Sequence, residues 1–159
     1  MDQAVIDKHG FRLSVGMVLV NQQEKVFWGR RVGDLNAWQF PQGGLLPNET
    51  PYEAMVRELK EEIGLTVSEI VYAAETRSWY RYRLSPRFIV MKMVGVIGQR
   101  QKWFLLRLVG DDDCISLIHL SQPEFDQWCW VEYWYPVNHV VKFKRAIYRR
   151  VLKEFFEFV

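Results

Sequence analysis

Residues 43–65 read Gly43-Gly44-Leu45-Leu46-Pro47-Asn48-Glu49-Thr50-Pro51-Tyr52-Glu53-Ala54-Met55-Val56-Arg57-Glu58-Leu59-Lys60-Glu61-Glu62-Ile63-Gly64-Leu65. The spacing predicts a helix over Thr50 to Ile63. Thr50-Pro51-Tyr52-Glu53 is a capping box with Pro at the first helical position, and Gly64 supplies the stop. At ~100° per residue, Tyr52, Met55, Leu59 and Ile63 gather on one side and Glu58, Glu61 and Glu62 on another. Lys60 points away and Arg57 lies at the edge. Clustered carboxylates repel one another and destabilise the helix unless a hard cation sits among them, and Mg²⁺ takes oxygen ligands in this manner. The competing reading is a merely solvated acidic face.

The preceding residues favour a site. Trp38-Gln39-Phe40-Pro41-Gln42-Gly43-Gly44 predicts a tight, Gly-ended turn, where glycine lets backbone approach a ligand closely. A backbone carbonyl there can complete a metal shell. Glu49, eight residues before Arg57, is placed to pair with it and pin the loop to the helix.

The charge pattern agrees. The net charge of +2 hides a segregation: five Glu fall between Glu49 and Glu62, and four Arg without an acid fall between Arg77 and Arg87, interleaved with Trp79, Tyr80 and Tyr82. Five more basic residues run from Lys142 to Arg150. An acidic knot between two basic-aromatic stretches suits a metal cation held beside a polyanion, with solvated basic faces as the plainer alternative.

The chain is 159 residues, 49 % apolar and 15 % aromatic, enough for one domain spanning 1–159 with a sizeable core. No apolar run is long enough for a membrane span and the start lacks a secretory pattern. Two cysteines, Cys114 and Cys129, make neither a disulfide framework nor a zinc set, which points to a reducing, cytoplasmic setting. Strands are expected at Leu13–Val20, Lys25–Gly29, Ile70–Arg77, Phe88–Val94, Trp103–Val109 and Trp128–Tyr133. A last helix is expected from about Val137 to Phe156, with Val140, Phe143, Ile147 and Val151 as its apolar stripe. Strands around two helices indicate a mixed sheet covered by helices.

Gly43-x5-Glu49-x7-Arg57-Glu58-Leu59-x-Glu61-Glu62-x-Gly64-Leu65 resembles a complete Nudix box, with every fixed position filled, Gly44 included in the loop. The resemblance implies the Nudix fold, an α/β class α/β/α sandwich with a central mixed β-sheet and a long C-terminal helix. It also implies hydrolysis of a diphosphate linked to some group X, with Glu58, Glu61 and Glu62 holding Mg²⁺, or Mn²⁺ or another divalent metal, together with the Gly43 carbonyl.

Further stretches are similar to the bacterial RNA pyrophosphohydrolase branch, also described as dinucleoside polyphosphate hydrolases. They include Gly10-Phe11-Arg12, Trp28-Gly29-Arg30-Arg31, Gln101-Lys102-Trp103-Phe104, Pro123-Glu124-Phe125-Asp126, Tyr133-Trp134-Tyr135-Pro136 and Val140 through Arg150. That likeness implies a 5′-phosphorylated RNA substrate, trimmed to a 5′-monophosphate at the start of mRNA decay, with no preference for DNA. It casts Glu124 as a distant metal carboxylate, with a surface turn as the alternative. It casts Arg12, Arg31 and Lys144 as phosphate contacts and Phe143 as a base platform, with core packing as the alternative for Phe143. Tyr82 is a weaker candidate for the same groove. The assisting base is Glu58 or Glu124. Asn36-Ala37 departs from the branch, where a small polar residue precedes the Trp-Gln-Phe-Pro motif. Members usually carry a longer basic tail past the position of Val159. A dinucleoside polyphosphate substrate is the second reading, and a non-catalytic RNA-binding module the third.

Overall fold

A computed structural model describes residues 4–86, 95–118 and 122–159. The strand expected at Phe88–Val94 and the residue His119 lie outside them. Among the described residues eight strands form one mixed sheet: β1 (Phe11–Val20), β2 (Val26–Arg31), β3 (Trp38–Gln39), β4 (Gln42–Gly44), β5 (Ile70–Glu75), β6 (Tyr80–Arg83), β7 (Gly98–Leu108) and β8 (Phe125–Val131). The central order is β3-β2-β1-β7-β5, with β4 on β1, β6 on β7 and β8 on β2. Only the β1–β7 pair is parallel among the described strands, in register from Phe11↔Gly98 to Val20↔Arg107.

Helix α1 (Pro51–Ile63) forms as its sequence requires. Thr50 accepts from the Glu53 N–H at 3.1 Å, Glu53 accepts from the Thr50 N–H at 2.9 Å, and Gly64 closes the helix at φ 77°. Its Met55, Leu59 and Ile63 are fully buried against Val15, Met17, Leu19 and Phe104 on one face of the sheet. Tyr52 is exposed instead and meets Tyr72 at the margin.

The opposite face is covered by α2 (Tyr135–His139) and α3 (Arg145–Phe155). The expected helix from Val137 to Phe156 is therefore corrected to two helices. Val140 is extended (φ −77°, ψ 161°), and a 3₁₀ turn over Lys142–Lys144 separates them. Adjacent β-branched Val140 and Val141 favour extended backbone, and the break re-aims the residues that follow it. On the inner face of α3, Tyr148 is fully buried and its hydroxyl accepts the Phe40 N–H at 3.0 Å. Trp103 occupies the space above Gly16, where a Cβ would sit 2.5 Å from its indole. The abundant aromatics thus pack both layers and fix β1 to α3.

Sheet bounds also shift from expectation. β7 begins at Gly98, well before Trp103, and β5 ends at Glu75. The short strands β3, β4 and β6 carry too few residues for a period to emerge. No helix among the described residues is long and apolar enough to cross a membrane.

Candidate active site

A cleft of about 970 Å³ opens between α1, the β4 strand and the 3₁₀ turn ahead of α3. Arg12, Arg31, Gly43, Gly44, Glu58, Glu61, Glu62, Tyr82, Glu124, Phe143 and Lys144 all line it. Residues from both ends of the chain thus converge, because β1 and β4 pair (Val15↔Gly43) and the α3 layer folds over them.

The acidic end is built from α1. Glu58 is 8 % and Glu62 6 % exposed, whereas Glu61 is exposed. Glu62 accepts the Gln42 N–H at 3.1 Å. Burial raises the Glu58 carboxyl to about 8, and the neighbouring Glu61 adds to the rise while Arg57 opposes it. Burial also pushes Glu62 well up, reinforced by the charges of Glu58 and Glu124. Protons or cations must therefore accompany these groups.

Arg57, expected at the edge of the acidic face, turns in among the carboxylates. Its guanidinium donates to both Glu49 oxygens at 2.8 Å, to the Gly44 carbonyl at 2.8 Å and to Glu61 at 3.1 Å, and approaches Glu58 at 3.4 Å. Glu49 therefore does pin the loop to the helix, and the hydrogen bonds from Arg57 hold its carboxyl below the usual range. With Glu58 and Glu61 turned toward Arg57, no three acidic, His or Cys side chains among the described residues converge as a closed metal cluster.

The expected Gly-ended turn is instead strand β4, and its glycines answer to crowding. A Cβ at Gly43 would overlap the Glu58 carboxylate, and one at Gly44 would enter the Arg12 guanidinium. This cradle fits a hard divalent cation: the Glu58 carboxylate lies against bare backbone at Gly43, Glu62 accepts from the adjacent Gln42 N–H, and Glu61 and Glu124 line the same cleft. Glu124 is half-buried just ahead of β8, and its carbonyl accepts the Val32 N–H at 2.9 Å.

The other end of the cleft is basic and aromatic. Tyr82 and Phe143 stack with ring centroids 5.8 Å apart. Phe143 belongs to the 3₁₀ turn, so the apolar-stripe reading on a continuous helix is corrected. Lys144 is 6 % exposed, and its Nζ donates to Gln39 Oε1 at 2.9 Å and to Gln42 Oε1 at 3.3 Å. Burial, helped by the Arg31 charge, lowers it to about 7, against the pull of Glu62 and Glu124. Arg12 Nε and Gln99 Oε1 are buried in this wall without a hydrogen-bond partner among the described residues. The sequence alone assigns no role to Gln39, Gln42 or Gln99. Lone glutamines carry no pattern, and the β3–β2, β4–β1 and β6–β7 pairings bring them to the cleft.

Fold and cleft together define a Nudix protein, and the chain belongs to the NUDIX domain family, whose model matches residues 10–155. The chain is 62 % identical over its whole length to the RNA pyrophosphohydrolase of Coxiella burnetii (strain RSA 493 / Nine Mile phase I), covering 71 % of that protein. It is 49 % identical to the RNA pyrophosphohydrolase of Francisella tularensis subsp. tularensis (strain WY96-3418), over 98 % of this chain and 99 % of the relative. Among solved structures it resembles the E. coli dihydroneopterin triphosphate pyrophosphohydrolase, with TM-score 0.72 and 19 % identity over 89 % of this chain and 95 % of that one. A C. elegans Ap4A hydrolase complex matches with TM-score 0.65 and 18 % identity, over 91 % and 99 %. At those identities the two structures bear on fold alone.

Proposed function

We propose that the protein is an RNA pyrophosphohydrolase that removes pyrophosphate, or successive phosphates, from the 5′-triphosphate or diphosphate end of RNA, using Mg²⁺ or a related divalent ion. The carrying observation is one cleft with buried carboxylates Glu58 and Glu62 at one end and the Tyr82–Phe143 stack beside Arg12, Arg31 and Lys144 at the other. The first end suits a metal–phosphate centre. The second suits a base and its backbone. The likeness to relatives named RNA pyrophosphohydrolase supports the same reading. The reaction belongs in the cytoplasm, where that RNA is, and leads into mRNA decay.

Glu58, Glu61, Glu62, Glu124 and the Gly43 carbonyl would hold the divalent ion, which when bound neutralises phosphate charge and activates water. The protein's own contribution is position and charge. Arg57 ties Glu49, the Gly44 carbonyl and Glu61 into one frame, so the loop and helix keep a fixed spacing. Glu58 or Glu124 receives a proton from the attacking water. Arg31 and Arg12 stabilise charge on the leaving phosphates, as guanidinium forks suit phosphate oxygens. Lys144, held by Gln39 and Gln42, keeps its ammonium 5.8 Å over the Tyr82 ring, beside the Phe143 stack, where it meets the RNA backbone.

A dinucleoside polyphosphate is the second reading, since it presents the same phosphate chain and base to the same cleft. The test is conversion of 5′-triphosphorylated RNA to the 5′-monophosphate with Mg²⁺ present or chelated. Glu61→Gln is expected to abolish turnover while metal-free RNA binding stays near normal. Retention of most activity removes Glu61 from its role, and turnover in chelator overturns the metal reading.

A further inference from the structure

A second groove, of about 540 Å³, lies at the start of β6. Lys8, Arg81, Arg100 and Arg150 line it together with the rings of Trp79 and Tyr80. It gathers side chains from both basic-aromatic stretches of the sequence, the one around β6 and the one entering α3. Strand alternation divides β6: Tyr80 and Tyr82 share the inner row, where Tyr82 lines the cleft, while Arg81 and Arg83 lie exposed on the outer row. Those two arginines are about 7 Å apart along the strand, and both guanidiniums lie over the Phe11 ring, at 5.0 and 5.7 Å.

The guanidiniums here rest on rings more than on acids. Arg100 lies 5.4 Å over Trp79, and Arg150 lies 4.3 Å over Tyr80. Among the described residues, Lys8, Arg81 and Arg150 have no acidic partner within ion-pair distance. The acid that lines the groove, Asp7, is committed elsewhere: it accepts the His9 and Phe11 N–H groups at 2.8 and 3.0 Å and reaches Arg100 only at 4.0 Å. Nearby Glu154 is likewise occupied, by the Tyr80 hydroxyl and the Arg77 N–H. Cations that outnumber the nearby Asp7 and Glu154 and are interleaved with ring faces suit a single-stranded polynucleotide, whose phosphates need charge and whose bases need stacking surfaces.

We infer that this groove binds the ribose–phosphate backbone and bases of the RNA downstream of its reacting 5′ end. The inference rests on the proposed RNA substrate, and it makes the protein's affinity depend on RNA length. An RNA whose 5′ phosphates lie at Glu58 and Glu62 and whose first bases reach Tyr82 meets Arg83 and Arg81 on crossing one strand. Nucleotides beyond that point then enter the groove.

The test compares wild type with Arg81→Gln/Arg100→Gln/Arg150→Gln, and with Arg81→Gln alone, which removes an exposed side chain. One assay measures binding of a 5′-hydroxyl RNA of roughly 15 nucleotides, which carries no scissile phosphate, across a range of salt. The other measures turnover of 5′-triphosphorylated RNAs of roughly 3 and roughly 15 nucleotides and of diadenosine tetraphosphate. The triple variant is expected to weaken the long 5′-hydroxyl RNA about tenfold and reduce the log–log salt slope by about 2, at ~0.7 for each phosphate that is no longer neutralised. KM for the long substrate should rise by a similar factor, and Arg81→Gln should give a smaller change in the same direction. Turnover of the short RNA and the dinucleotide should hold. Equal binding and salt slopes in wild type and variants overturn the groove while leaving RNA end hydrolysis in place. Loss of dinucleotide turnover in both variants also overturns it, since the residues are then structural. Groove-dependent binding in a protein that cleaves no RNA end sinks the proposed activity and leaves the groove standing.

Discussion

Titrating the metal-free protein between about pH 5 and about pH 7 tests the buried carboxylates most directly. Glu58 ionises near 4.5 when solvated and near 8 in the fold, chiefly through burial. An acid whose folded pKa lies above its unfolded value keeps its proton in the folded state. Between the two values the unfolded form therefore gains ground as pH rises. At ~1.4 kcal/mol per pH unit, an interval of about two units removes about 3 kcal/mol of stability. Glu62, raised in the same direction by burial, adds to the loss. Glu49, whose carboxyl Arg57 holds low, contributes stability lost only as pH falls below the ordinary carboxylate range, outside this window. Lys144, lowered to about 7, gives stability back only above that pH.

For a chain of this size ~3 kcal/mol corresponds to a Tm lower by about 10 °C. Thermal unfolding in chelator at both pH values, for wild type and Glu58→Gln, is the assay. The variant has no carboxylate to ionise at that site, so its slope should be shallower. Saturating Mg²⁺, at about 100-fold over its Kd, should restore ~2.7 kcal/mol at the higher pH and less at the lower, where protons compete. A wild-type Tm that stays level or rises with pH, or a Glu58→Gln slope equal to wild type, is incompatible with a proton held on buried Glu58.

Gly43→Ala places a methyl group on the Glu58 carboxylate; kcat should fall about 100-fold with the circular dichroism spectrum retained. Arg57→Gln breaks the frame joining Glu49, Gly44 and Glu61 and should cost about 2–3 kcal/mol in chemical denaturation. Tyr82→Ala removes the ring stacked on Phe143 and should raise KM for RNA by about tenfold or more, visible in steady-state kinetics, since a base stack contributes ~1–3 kcal/mol.

The acidic half of the cleft is legible in the sequence because its residues sit on one helix with strong end signals. Thr50, Glu53 and Gly64 bound α1, and a fixed angular step then places Glu58, Glu61 and Glu62. The reach of Arg57 is less legible. Spacing alone puts it at the edge of the acidic face, whereas a long flexible side chain turns inward to meet Glu58 and Glu61 as well as Glu49. Gly43 and Gly44 read as a turn, yet they are extended strand residues emptied of side chains by Glu58 and Arg12. Crowding by distant partners leaves no local trace.

The basic half is less legible still. Val140, Phe143, Ile147 and Val151 keep a helical period across a real break, because apolar residues of two successive elements bury against the same core. Lys144 stands in a basic run that suits a solvated face, and it is buried, held by two glutamines over a hundred positions away in sequence. Long-range pairing decides such positions, and no window of sequence contains it.

The central claim is hydrolysis at RNA 5′ ends, and a direct competition tests it. Protein with Mg²⁺ receives equal concentrations of a short 5′-triphosphorylated RNA and diadenosine tetraphosphate, and the two kcat/KM values are compared. The RNA is expected to be preferred clearly, and Lys144→Ala, which removes the ammonium held over the Tyr82 ring, to erode that preference. A preference for the dinucleotide, or one that Lys144→Ala leaves untouched, contradicts the claim.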